Sequence, residues 1–177
     1  MKKIALLILL STTLFSCKRT KEEIIVKKWQ AVNVENPAMD TIMMQQQMFI
    51  DTVGKHTDAA TNKEMYGVDN LDSLRKELQM QLDSFKIMQE AAIQKTEFNF
   101  LKGGKALINF GAGDVDSCKW AFDEDGKSLI IDEIKKGAGG PADKIKMQIV
   151  ELDDTMMKLR LNESGTKSTV IFKPSKK

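Results

Sequence analysis

The feature that most constrains this chain of 177 residues is an alternation of apolar and polar residues that begins near Thr96. Seven short segments follow this pattern, and Phe98 and Phe100 are the apolar pair of the first one. A period of two places such side chains on one face of a β-strand. Turn signals rich in glycine and aspartate, such as residues 102–104 and 124–127, separate the segments. The pattern therefore predicts an antiparallel meander.

An eighth strand is predicted earlier in the chain, over Lys28–Glu35, where apolar residues surround Trp29. Eight meandering strands close naturally into a barrel, because closure removes the exposed edge strands. The predicted fold is thus mainly β with a helical insertion: an eight-stranded antiparallel up-and-down barrel with two helices between strands 1 and 2. The insertion occupies residues 36–95. A barrel of this size is either filled by its own side chains or holds one small ligand.

The insertion carries clear helix signals. Asn36 and Pro37 suit the N-cap and first position of a helix, and Gly54 suits its C-terminal stop. Apolar residues at intervals of three and four predict a longer amphipathic helix over residues 71–94. The intervening residues 55–67 are polar and are predicted to form a loop.

Seven aromatic side chains fall on the predicted interior face of the barrel, where they are candidate contacts for an apolar ligand. They are Trp29, Phe98, Phe100, Phe110, Trp120, Phe122 and Phe172. Two interpretations stay open at this point. The rings either form a packed core or line a cavity that holds an acyl chain or another apolar molecule.

The N-terminal residues have the pattern of a secretory signal: two lysines, a short apolar run and small residues. The apolar run is far shorter than the roughly 20 residues that span a bilayer. Its end, Leu14-Phe15-Ser16-Cys17, resembles the lipobox of bacterial lipoproteins. The resemblance implies cleavage before Cys17, which would then carry acyl chains such as palmitate. It divides the chain into a signal peptide (1–16), an anchor and tether (17–23) and a barrel domain (24–177).

The resemblance also implies a location. Lys18 after the cysteine does not match the aspartate that retains lipoproteins in the inner membrane, so we expect attachment to the outer membrane of a Gram-negative cell envelope. Two or more acyl chains anchor a protein stably to a membrane. The leaflet is left open. Cleavage would remove Lys2 and Lys3, so that 25 basic residues face 25 acidic ones. This neutral balance argues against nucleic acid as a partner.

The barrel segments resemble lipocalin-like (calycin) domains. The matching features are Trp29 early in the first strand, the Phe98-Asn99-Phe100 run before a glycine turn, and residues 118–122 leading into Asp125-Gly126. The resemblance implies an up-and-down barrel that binds a small apolar ligand. An alternative is a filled barrel whose amphipathic helices dock a partner protein of the envelope.

Little in the sequence indicates catalysis. His56 is the only histidine and falls in a polar stretch, so a zinc site or a histidine-based triad has little support. Methionines cluster at Met39, Met43, Met44 and Met48, where packing or an adaptable surface is favoured over a copper site. Cys118 is expected to be buried. We therefore expect no enzymatic activity, metal or cofactor.

Overall fold

The computed structural model describes residues 19–111, 115–133, 144–163 and 165–175. The predicted signal peptide and Cys17 lie outside these residues, and so does the glycine-rich stretch 135–143, for which the sequence predicts a long loop. Within the described ranges, no helix has the length and apolar character needed to cross a membrane.

Eight antiparallel strands form a closed barrel, as predicted. Each strand pairs with its neighbour along the chain, and β8 closes the barrel by pairing with β1. The strands are β1 (Lys28–Glu35), β2 (Thr96–Leu101), β3 (Lys105–Phe110), β4 (Asp116–Phe122), β5 (Ser128–Glu133), β6 (Lys144–Leu152), β7 (Met157–Glu163) and β8 (Thr166–Pro174).

In the part of the chain that the structure describes, four helices accompany the barrel: α1 (Lys21–Ile25), α2 (Pro37–Thr52), α3 (Ala59–Tyr66) and α4 (Asp72–Lys95). Helices α2 and α4 confirm the two predicted helices, and the side chain of Asn36 caps α2 by accepting from the Met39 N–H.

Helix α3 was not predicted, and the loop assigned to residues 55–67 is wrong over most of its length. The Asp58 side chain accepts a 2.8 Å hydrogen bond from the Thr61 N–H, and Gly67 ends the helix in the left-handed conformation. These two caps stabilise a helix, although the polar composition of the segment is typical of a loop.

Helix α1 closes one end of the barrel. A capping box starts the helix, in which Thr20 and Glu23 each accept a hydrogen bond from the main chain of the other. Ile25 is fully buried in the barrel core, and Lys21 donates to the Gly126 carbonyl oxygen at 2.6 Å. The turns β2–β3, β4–β5 and β6–β7 lie at this end, which we call the α1 end.

Two cations hold the α1 segment to the β6–β7 turn. The side chains of Arg19 and Lys27 contact the Asp154 carboxylate at 2.9 Å and 3.1 Å. The hydrogen bond from Lys27 lowers the pKa of Asp154, and the charge of Arg19 adds to the effect. The sequence predicts a tether over residues 17–23. Among the residues of this segment that the structure describes, Arg19 pairs with Asp154, Lys21 donates to the Gly126 carbonyl and Glu23 caps α1.

The barrel core receives side chains from all eight strands. Its members share nearly complete burial and form one continuous cluster with Ile25. They are Trp29, Ala31, Phe98, Phe100, Ala106, Ile108, Cys118, Trp120, Leu129, Ile131, Met147, Met157, Leu159 and Phe172. The burial expected for Cys118 is confirmed.

Helices α2 to α4 form a helical hairpin (residues 37–95) at the opposite end of the barrel, because α2 follows the end of β1 and α4 runs directly into β2. The Asn36 amide donates to the Ser168 hydroxyl at 3.1 Å, and the Gln30 amide donates to the Gln94 carbonyl at 2.6 Å. Gly111 lies so close to α4 that an added Cβ would sit 2.5 Å from the Ala92 carbonyl oxygen. The hairpin is thus fixed to the barrel at its base.

Candidate binding groove on the helical hairpin

The predicted interior aromatics are brought together by the barrel. Ring centroids lie 6.0 Å apart for Phe98 and Phe100, 4.8 Å for Phe98 and Phe172, and 5.6 Å for Phe100 and Trp120. Most of these pairs are edge-to-face, an arrangement that favours aromatic packing. Trp29 is fully buried, and its ring N–H is satisfied by the Ile25 carbonyl.

Two of the seven aromatics lie away from the centre. Phe122 is half-buried and contacts the Trp120 ring edge-to-face near the α1 end. Phe110 ends β3 at the hairpin end and is 41% exposed, although its ring still contacts Phe98. The contacts among the rings favour a packed core over a ligand-lined cavity. Ligand binding by these residues stays a prediction.

An apolar groove runs instead between α2 and α4. It has a volume of about 430 Å³. Its ten lining residues are Met39, Ile42, Met43, Gln46, Phe49, Ile50, Leu78, Gln81, Leu82 and Phe85. None of the ten is charged.

The spacing of the lining residues explains the groove. Residues three and four apart share one face of a helix, so that each helix presents a broad apolar stripe. Contact between the two helices covers only part of each stripe, because Ile50 is the one buried side chain within α2 and Leu82 the one within α4. The remainder of both stripes faces outward and forms what we call the front of the hairpin.

The uncovered part is large. Ile42 is 51% exposed and Phe49 is 48% exposed on α2, and Met80 and Met88 beside the groove on α4 are 55% and 64% exposed. A second hollow on α4, lined partly by Met80 and Met88, shares Phe85 with the groove. The front is therefore one continuous apolar surface across both helices.

The opposite side, the back of the hairpin, is polar. Gln47 donates to Gln79 at 2.9 Å, and the two amides also donate to Asp51 and Asp83 respectively. These hydrogen bonds fix the two helices side by side. The hairpin thus has satisfied amides on its back and an uncovered apolar front, and exposed apolar side chains such as Met44 and Met48 also lie outside the groove.

The predicted methionine cluster divides between these surfaces. Met39 and Met43 line the groove, whereas Met44 and Met48 do not and are 58% and 59% exposed. Flexible thioether side chains suit a surface that adapts to an apolar partner.

The described residues hold no group of three or more His, Cys, Asp or Glu placed to bind a metal ion. His56 is exposed between α2 and α3 and does not lie among the groove residues. The groove offers van der Waals contact and two glutamine amides.

Comparison with known proteins identifies no family for this chain. Neither the protein-family models nor the curated proteins give a match. Among solved structures, the chain is similar to a DUF4847 family protein from Bacteroides vulgatus, with 14% identity and a TM-score of 0.44. The similarity covers 89% of this chain and 98% of that one.

The sequence analysis placed the candidate site inside the barrel and missed the groove. The signal was present in the helical spacing of Met39, Ile42, Gln46 and Phe49, which places them on one face of α2. How much of that stripe α4 covers depends on the packing of the hairpin.

Proposed function

We propose that this chain is a lipid-anchored, non-enzymatic interaction module of the cell envelope, whose groove on the helical hairpin binds an amphipathic helix of a partner. The supporting observation is the continuous apolar front, in which Ile42 and Phe49 stay half exposed among the residues that the structure describes. Exposed apolar patches of this kind mark interaction sites.

A helix is the occupant that best suits the groove. The lining residues of α2 run from Met39 to Ile50, which corresponds to about 17 Å along the helix at 1.5 Å per residue. An amphipathic helix laid along this length inserts side chains at three- and four-residue intervals, as in other helix-in-groove complexes. Because no lining residue is charged, the contacting face of the partner is apolar and uncharged as well.

The barrel serves as the scaffold in this proposal. It is a closed barrel of eight strands, it resembles lipocalin-like domains, and its interior is occupied by its own aromatic and aliphatic side chains. Anchoring rests on the lipobox at Cys17, and outer-membrane attachment rests on the residues after it.

A photo-crosslinking amino acid in the lipidated chain tests the groove in the cell envelope of the bacterium that carries it. We expect a probe at Phe49 to give a discrete protein adduct. A probe at Met44, equally exposed on the same helix but outside the groove, is expected to give none. Equal adducts at both positions, or no protein adduct at Phe49, would contradict the proposal.

Anchoring is tested separately by mass spectrometry of the N-terminal peptide. We expect acyl chains on Cys17, and a Cys17→Ser variant is expected to leave the membrane fraction. An unmodified Cys17 in the membrane-bound protein would contradict the lipid anchor, but it would not affect the proposed role of the groove.

A small apolar ligand is a second candidate, and the groove rather than the barrel interior favours it. Its volume of about 430 Å³ falls in the range of small-molecule sites, about 300–1,000 Å³. Native mass spectrometry of gently purified protein tests this candidate. A carried molecule that extracts as a lipid and is lost in Phe49→Glu supports it, and an unliganded mass after challenge with fatty acids contradicts it.

A further inference from the structure

The front of the hairpin is self-complementary. It combines a groove floored by Leu78 and Leu82 with exposed side chains on either side, Ile42 and Phe49 on α2 and Met88 on α4. Ridges of one helix surface pack into grooves of another. A two-fold axis through such a face lets the ridge of each copy enter the groove of the other, which is an isologous contact.

Resting on the function proposed above, we propose that the helix that occupies the groove belongs to a second copy of this chain. Two helical hairpins meeting front to front complete a four-helix bundle. The apolar stripes of four helices then face one another, as they do in the interior of such bundles. The polar back, with its Gln47–Gln79 hydrogen bonds, stays on the outside.

The charge of the front of the hairpin is consistent with a second copy of the chain as the partner. The groove holds no charged side chain, and Glu77 is the one charged residue of the neighbouring hollow on α4. A strongly basic or acidic partner therefore finds no complementary charge. A second copy brings a face with the same uncharged character, so that burial leaves few charges without partners.

The size of the face also agrees. A large side chain has about 200 Å² to bury, so the four that are about half exposed leave about 400 Å² open per copy. A standard interface buries about 800 Å² on each partner. Partly buried lining residues and the exposed Gln46 and Gln81 add to this area. The face is therefore smaller than a standard interface and suits a weak, reversible dimer.

Sedimentation equilibrium on residues 18–177 tests the proposal. This segment contains every described residue of the barrel, α1 and the hairpin. We expect a monomer–dimer equilibrium with a dissociation constant in the micromolar range, about 1–100 µM. Phe49→Glu is expected to weaken it at least about tenfold, because the charge would be buried at the interface.

Met44→Glu is the matched control, since Met44 is equally exposed on α2 but lies outside the groove. We expect its dissociation constant to stay within about twofold of the parent value. Gln46→Lys is the second variant, because Gln46 is already polar and exposed and its change leaves the fold intact. It should weaken the dimer as Phe49→Glu does. Circular dichroism verifies the helical content of each variant.

A chain that stays monomeric at about 100 µM overturns the second copy as the occupant. Equal weakening by Met44→Glu and Phe49→Glu does so as well. The crosslinking experiment separates this failure from that of the proposed function. An adduct at Phe49 with a different protein keeps the groove as a binding site and removes only the second copy.

Discussion

The indole N–H of Trp29 donates a 2.9 Å hydrogen bond to the main-chain carbonyl of Ile25, and both residues are fully buried. This bond joins the first strand to the helix that closes the barrel. The Ile25 carbonyl also accepts a 2.7 Å hydrogen bond from the Lys27 N–H, so two donors satisfy this buried oxygen.

Trp29→Phe tests the bond. The substitution keeps an aromatic ring but removes the indole donor, while the Lys27 N–H still donates to the Ile25 carbonyl at 2.7 Å. We expect the lost hydrogen bond to lower the free energy of unfolding by about 0.5–1.5 kcal/mol. Urea unfolding followed by circular dichroism measures it. Val32→Thr, at an exposed position of the same strand, should change stability by less than about 0.5 kcal/mol. An equal effect of both changes would mean that the bond contributes nothing specific.

Two glycines at the tip of the hairpin allow the energetic cost of backbone strain to be measured apart from that of steric crowding. Gly54 and Gly67 have positive φ values of 71° and 75°, but an added Cβ meets the Leu71 side chain at 2.2 Å in the first and open space in the second. Gly67→Ala should cost about 1–2 kcal/mol from the backbone alone. Gly54→Ala should cost about 1–3 kcal/mol more, since Leu71 is buried and has little room to move. Thermal unfolding of the two variants measures the difference, and equal losses would show that Leu71 yields without cost.

Asn36 links the base of the hairpin to the barrel by two separate groups. Its side-chain oxygen caps α2, and its amide N–H donates to Ser168. Asn36→Ala should lower stability by about 0.5–2 kcal/mol, whereas Asn36→Asp keeps the cap and should lose less. Ser168→Ala removes only the contact with the barrel. If Asn36→Asp is as destabilising as Asn36→Ala, the contact with Ser168 is the more important of the two.

The β4–β5 turn carries an acid-sensitive contact. The Ser128 N–H donates to the Asp123 carboxylate at 2.8 Å, which holds the pKa of Asp123 below its ordinary value of 3.8, and Lys146 adds to this effect. A lowered pKa in the folded state stabilises the protein above the ordinary value, and the contribution is lost as pH falls through the folded pKa.

Asp123→Asn should therefore be less stable than the parent at about pH 7, and the gap should narrow as pH falls below about 4. Urea midpoints across this range measure it. Glu124→Gln, an exposed acid on the same turn, serves as the control. If the difference in stability between Asp123→Asn and the parent stays constant with pH, the substitution acts through the geometry of the side chain and not through its charge.

The strands and the two long helices could be predicted from the sequence, because each of them packs one apolar face against a single neighbour. That neighbour is the barrel core for a strand and the facing helix for α2 and α4. Helix α3 did not, since its residues pack little and its caps at Asp58 and Gly67 carry the signal. The groove escaped prediction for a different reason. Periodicity shows that Ile42 and Phe49 lie on an apolar face, but only tertiary packing shows that nothing in the described chain covers them.

The attachment of Arg19 to Asp154 has a consequence for geometry in the cell envelope. Two peptide units separate Arg19 from the proposed anchor at Cys17, a reach of about 7 Å. The α1 end would then lie close to the headgroups. The linker between the anchor and the barrel would be too short for large movements of the protein. With such an anchor, the barrel would lie between the bilayer and the hairpin, and the groove would face partners at a similar distance from the membrane.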